Sequence, residues 1–432
     1  MRVAGFGRSA VLVTAFSTVL LVAPALEHAR ASAPAVEHRD IDFHRYTRAR
    51  DFAAGTFDGT ATTPFGGLRF ERATGQLRYD DPFGYPTRTY DSASWTSPYH
   101  HTGFGVTELV SSWNADTPDG TWLQVQMRGH TTTGALSKWY VMGRWARDDA
   151  DFHRTSVSGQ GDAVGDIATD TFVAADGVRL RDYQLRVTLY RVVGIQQSPS
   201  VRSVGAVASA LPEDTTVEPG EPGGAAGIEL PVPRYSQGIH ADEYPQYGGG
   251  GEAWCSPTST EMVAEYWGQK PAAAELSWVD PAYADPSVDV AARGTFDYQY
   301  DGTGNWPFNV AYATRGRLTG EVTQLRTITE LEEFIKFGIP VITSVSFKAD
   351  ELDGAGYSTD GHLMVVVGFT KNGDVIANDP ASSDDAAVRH VYNRAQFANV
   401  WLPSTRSHGI AYLIHPSGWP LPPHPAGLPH NW

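Results

Sequence analysis

Ala253-Trp254-Cys255-Ser256-Pro257-Thr258-Ser259 carries the only cysteine in a chain of 432 residues. The run after it, Thr260-Glu261-Met262-Val263-Ala264-Glu265-Tyr266-Trp267, reads as a helix with Cys255 at its start. A lone thiol cannot close a disulfide within its own chain, nor supply a multi-cysteine metal site. It is a buried inert group, a link to another chain, or a nucleophile. The helix start favours the nucleophile, because unpaired N–H groups and the helix dipole stabilise a thiolate.

Outward from this segment, residues 229–416 mix helix and strand. Residues 328–337 are amphipathic and end at Gly338, with Thr329 available as a cap. Residues 340–346 read as a strand. The apolar runs 363–369 and 375–378 flank Thr370-Lys371-Asn372-Gly373-Asp374, a hairpin signal. Helices first and strands later point to an α+β domain. The tail 417–432 is proline-rich and reads as irregular.

Residues 41–210 behave differently. Leu123, Val125 and Met127 alternate with polar residues; so do Trp139, Val141 and Trp145, and Tyr183, Leu185, Val187 and Leu189. Period-two alternation with turn punctuation at Asp119-Gly120 and Asp176-Gly177 predicts half-buried strands, no amphipathic helix, and an antiparallel β-sandwich. The tryptophans 95, 113, 122, 139 and 145 are expected in its core, a sugar-stacking platform being the alternative use. Between the halves, 211–228 is rich in proline, glycine and acid and reads as an interdomain linker. At the N-terminus, Arg2 and Arg8 precede an apolar run from Ser9 to Leu26 and small residues around Ala31 and Ala33. This predicts a signal peptide over 1–33 and a secreted protein with no membrane segment afterwards.

A cysteine nucleophile needs a base and a group that orients the base. Among His240, His362, His390, His408 and His415, only His362 stands at a strand start, in Asp360-Gly361-His362-Leu363-Met364. The hairpin at 370–374 returns Asp379 to within about two positions of facing His362, close enough for a carboxylate to accept a hydrogen bond from Nδ1. Asn378 points to the opposite face. An oxyanion hole could use the backbone N–H of Cys255 and a side-chain amide upstream, with Gln237 the candidate and Gln246 the runner-up.

Val232-Pro233 through Gln237, the glycine run 248–251, Cys255-Ser256-Pro257-Thr258-Ser259, Gly361-His362 and Asn378-Asp379-Pro380-Ala381 together resemble the bacteriocin-processing cysteine peptidase-like family of papain-fold proteins. Residues 391–397 with Trp401 are similar to a closing segment of that family. The resemblance covers about 229–415. It implies a papain-like thiol peptidase with Cys255 as nucleophile, His362 as base, Asp379 as orienter and Gln237 as oxyanion donor. Ser256 stands where glycine usually follows the cysteine, and no transporter segment accompanies the domain.

The net charge of −16, with no basic cluster, excludes nucleic acid as a partner. The expected partner is a peptide or protein, cell-wall peptide included. Cell-wall amidase or endopeptidase activity, acyl transfer to an amine, and a decayed secreted binding protein are the alternatives. No cofactor is required. Residues 297–306 lack the closing glutamate of a calcium loop and read as an aromatic, glycine-rich wall of the cleft. His100-His101 lacks the companions of a zinc site, and no metal site is read.

Overall fold

The alternating segments of the first half become strands that pair antiparallel throughout. The computed structural model describes residues 39–432, so the signal peptide read over 1–33 lies outside the described residues. Two sheets form here. In one, strand Ser200–Ala210 runs between Glu108–Asp116 on one side and Asp40–Tyr46 on the other. In the other, Leu180–Val192 runs between Thr121–Thr131 and Arg88–Thr96. Trp113 and Val204 of the first sheet share one apolar core with Leu123, Val125, Leu185 and Val187 of the second.

The expected half-burial is exceeded. Leu123, Val125 and Met127 are buried as the alternation requires, and so are Trp122, Gln124 and Gln126 between them. Trp122 stacks on Phe152 and Tyr190, so an aromatic cluster covers part of the second face as well. Trp95, Trp113, Trp122 and Trp145 are all core, which leaves no platform of stacked indoles. Trp139 instead lies between the guanidinium groups of Arg128 and Arg186. A five-residue helix, Ala49–Ala53, stands where no helix was expected; it is too short to carry a readable period, and Asp51 holds its first turn by accepting from Arg48 N.

The second half places helices before a six-stranded antiparallel sheet and two more between its strands. Its order is Leu318–Gln324, Ile410–Pro416, Val341–Phe347, Thr359–Phe369, Val375–Asn378, Arg389–Tyr392. Helix Ile328–Lys336 is capped by Thr327, whose hydroxyl accepts from Glu330 N, and not by Thr329, which bonds Glu221 O. The molecule is therefore mostly β-sheet with few helices.

The halves are built into each other. Phe308 packs its ring against Trp113 and Trp145. Asn114 exchanges hydrogen bonds with Thr319 and Gly320, and Arg45 pairs with Glu321 at 2.6 Å. The segment 211–228 lies against the second half, with Ala225 buried and Gly227 N donating to Phe369 O. The tail returns too: Asn431 and Trp432 are buried, and Phe43 N donates to His430 O. Residues 39–432 form one compact unit. No helix among the described residues is long and apolar enough to cross a membrane.

Candidate active site

Helix Cys255–Tyr266 begins at the cysteine itself, so the sulfur sits where the first N–H groups have no carbonyl partners. Ser259, one turn on, donates to Leu363 O at 3.0 Å and so fixes the helix against the strand that carries His362. Ser256 is fully buried, and its hydroxyl meets Tyr412 Oη at 3.0 Å. The side chain that replaces glycine therefore points away from the cleft and ties the helix start to the sheet.

Strand Thr359–Phe369 pairs with Val375–Asn378, with Val365 opposite Asn378, so residue 379 stands two positions from facing 362. Nε2 of His362 lies 2.8 Å from Oδ1 of Asp379. The expected Nδ1–carboxylate bond is thus corrected to Nε2, which leaves Nδ1 as the nitrogen not held by Asp379. The His362 charge acts on the Cys255 thiol and lowers its pKa. Asn378 points away as expected and donates to Pro233 O at 3.0 Å.

Asp379 is fully buried yet well supplied. Oδ1 also accepts from Ala381 N at 3.0 Å, and Oδ2 accepts from Tyr357 at 2.9 Å and Tyr392 at 2.7 Å. Neither tyrosine was read as a site residue. Burial and the Asp379 charge push both hydroxyls far up, so they remain protonated donors. The Tyr357 ring also stands edge-on to His362, 5.5 Å between centroids, covering the imidazole.

The electrostatics follow. Burial alone would push the Cys255 thiol up; the His362 imidazolium and its hydrogen bond outweigh this and hold it below its ordinary value. Burial would lower His362, but Asp379 and the thiolate push it up to about 10. Burial opposes the Asp379 charge, but the imidazolium and the hydrogen bonds from His362, Tyr392 and Ala381 N hold it at about 2. The arrangement favours a thiolate–imidazolium pair at neutral pH.

Gln237 is buried and lines the same cleft as Cys255. Its backbone N–H donates to Pro380 O at 2.9 Å, and its Nε2 donates to Glu252 O at 2.7 Å, leaving a second N–H on that nitrogen. Gln246 is exposed and does not line the cleft. The glycine run has a backbone reason. Gly248, Gly249 and Gly250 adopt φ of +78°, +98° and +107°, and a Cβ at Gly251 would stand 2.4 Å from the His240 carbonyl carbon. The run folds the loop tightly between Gln237 and Cys255.

The cleft has a volume of about 830 Å³ and two walls. One comes from the second half, including Tyr300, Gly302 and Trp306 of the aromatic, glycine-rich loop. The other comes from the first half, through Glu108, Val110, Thr169 and Val207. No single-residue signal in the sequence marked the first-half positions as cleft residues.

Residues 42–209 match the family described as Peptidase C39 N-terminal domain, and residues 229–408 match the Peptidase_C39 like family. No curated protein matches. Among solved structures, accessory secretory protein 1, 2 and 3 of Streptococcus pneumoniae is similar at 10% identity over 38% of this chain and 95% of its own, with a TM-score of 0.20. A truncated AlyQ with CBM32 and alginate lyase domains is similar at 11% identity over 79% and 76%, with a TM-score of 0.15. Neither overlap is close enough to bear on the fold. The two adjoining matches account for most of the described residues, and the chain belongs to the peptidase C39-like family, which implies an activity of the peptidase type.

Proposed function

We propose that the protein is a secreted cysteine peptidase with a papain-like second domain that hydrolyses peptide bonds through Cys255, His362 and Asp379, assisted by Gln237. The observation that carries this is a single imidazole that lies 2.8 Å from a buried carboxylate and lowers the pKa of the lone thiol. The basic, apolar and small-residue pattern of 1–33 supports export.

The Cys255 thiolate adds to the peptide carbonyl carbon, forming a C–S bond while the carbonyl π pair moves to oxygen. The N–H of Cys255 and the free N–H of Gln237 hold that oxyanion. His362 gives its proton to the amide nitrogen, the C–N bond breaks, and the amine leaves. The neutral imidazole then takes a proton from water, and the resulting hydroxide adds to the thioester. The C–S bond breaks, the acid product departs, and the thiolate–imidazolium pair is restored. Asp379 holds the ring and its charge throughout.

A peptide-library cleavage screen of the wild type beside Cys255→Ala tests the reading. Cleavage by the wild type and none by a folded variant is the expected outcome. Fast alkylation of Cys255 by iodoacetamide at neutral pH would accompany it. Equal turnover by both proteins removes the mechanism.

A further inference from the structure

Upstream of the nucleophile, a second buried group of titratable side chains takes no part in the chemistry above. His240 and Glu243 lie in the loop that begins at Gln237, and Asp289 lies in helix Pro286–Thr295. Nδ1 of His240 is 2.7 Å from Oε2 of Glu243 and 3.7 Å from Oδ2 of Asp289. One donor atom from each residue lies within 4.8 Å of the other two.

Asp289 and His240 are fully buried. Neither oxygen of Asp289 has a hydrogen-bond partner, and Nε2 of His240 has none. Among the described residues, no lysine or arginine forms an ion pair with Glu243 or Asp289. Buried carboxylates are ordinarily paired, hydrogen-bonded or bound to a cation. Here two share one site with only a histidine between them.

We propose that His240, Glu243 and Asp289 bind one divalent transition-metal cation, with zinc as the test ion, and that this ion fastens the Gln237–Cys255 loop to helix Pro286–Thr295. One imidazole nitrogen with two carboxylates suits such a cation better than calcium or magnesium, which prefer oxygen alone. Ligands about 2.1 Å from zinc in tetrahedral geometry lie about 3.4 Å apart, so the observed spacing needs only local side-chain shifts. Binding displaces to solvent whatever protons the ligand atoms carry. The mechanical consequence is specific. The same loop presents the Gln237 amide, and it packs so tightly that Gly251 admits no Cβ beside His240. Trp254, next to the nucleophile, stands 6.0 Å from the His240 ring.

The test uses the full chain carrying Cys255→Ala, so that zinc cannot collect on the thiol. After dialysis against metal-free buffer and addition of zinc, the expected result is uptake of about one ion per chain and a rise of several degrees in melting temperature. Cobalt in place of zinc should give the visible absorption of a tetrahedral site. Adding Asp289→Asn or Glu243→Gln should abolish all three responses. In chelator, Asp289→Asn should melt no lower than its parent, which separates lost binding from lost folding. Equal zinc uptake with and without Asp289→Asn overturns the proposal. So does a melting temperature in the Cys255→Ala chain that zinc leaves unchanged. Stabilisation by calcium alone overturns the choice of ion class. None of these readouts depends on peptidase activity.

Discussion

Asp379 and Asp289 are the same residue type at the same depth, both fully buried, and they behave in opposite ways. Asp379 receives hydrogen bonds from His362, Ala381, Tyr357 and Tyr392 and is held at about 2. Asp289 receives none; burial first, and then the charge of Glu243, drive it upward. Burial alone therefore says nothing about a carboxylate's charge; the donors supplied to it decide. The four donors around Asp379 make a fixed negative charge that can hold an imidazolium. The absence of donors around Asp289 makes a site that gains by acquiring a cation.

The comparison breaks most visibly at the far end of the charge chain. Cys255→Ala removes the group that the first cluster serves, and peptide cleavage should fall by about 10⁶-fold. Thermal melting should be little changed, since a half-buried sulfur contributes little packing. Next comes Asp379→Ala, which should lower kcat/KM by about 10⁴-fold. It also strands two tyrosine hydroxyls and the imidazole, so stability should fall by about 3 kcal/mol, measurable by denaturant titration. Asp289→Asn in chelator should show no such loss. Similar destabilisation by both substitutions would mean that the two aspartates are not in different environments after all.

The pH dependence sharpens the same point. Asp379 is depressed from an ordinary 3.8 to about 2, so its contribution is present above 3.8 and is lost as pH falls through 2. His362 is raised from 6.5 to about 10, so its contribution is complete below 6.5 and is lost as pH rises through 10. Stability from the Asp379–His362 pair should be greatest between about 4 and 6.5. The kcat/KM profile should keep its alkaline limb near 10, where the imidazolium loses its proton, and its acid limb should report the depressed thiol. Tyr392→Phe removes one donor from Asp379 Oδ2. It should raise the Asp379 carboxyl, move the acid-side loss in the stability–pH profile to higher pH, and cost about 1 kcal/mol of stability. An unchanged profile would mean that the tyrosines fill space without holding the charge.

The reach of the sequence ends at identifiable places. Cys255, His362 and Asp379 could be read together because the turn at 370–374 sets the strand register, and register is a property of residue spacing. Which imidazole nitrogen faces Asp379 could not be read, because that depends on a side-chain rotamer. Tyr357 lies in the connection before its strand, where no period constrains it. Asp289 looks like one polar position in a helix; only tertiary packing brings it to His240 and Glu243, 49 and 46 residues earlier. Trp122 kept the alternation of its strand while an aromatic cluster buried the face expected to be wet. Thr327 and Thr329 are equivalent as caps by composition, and the turn geometry chooses between them. The first half's contribution to the cleft was unreadable for the same reason as Asp289, since it arises where two separately patterned segments meet.

Exposed carboxylates complete the comparison and carry its smallest effect. Glu252 and Asp301 line the cleft, stand in solvent, and have no ion pair among the described residues. What remains to them is a screened attraction for positive charge on a peptide. Arg406, the cleft's arginine, is partly neutralised by Glu351 at 2.6 Å, which leaves the rim acidic. Peptides with arginine or lysine flanking the cleaved bond should be preferred over matched glutamate peptides by roughly two- to fivefold at low salt. The preference should shrink as ionic strength rises, because the Debye length falls to about 3 Å at 1 M. Glu252→Gln with Asp301→Asn should remove most of it through KM, with kcat unchanged, since neither side chain touches the sulfur or the imidazole. A preference that persists in high salt and in the double variant would place selectivity in the shape of the cleft, in the wall contributed by the first half.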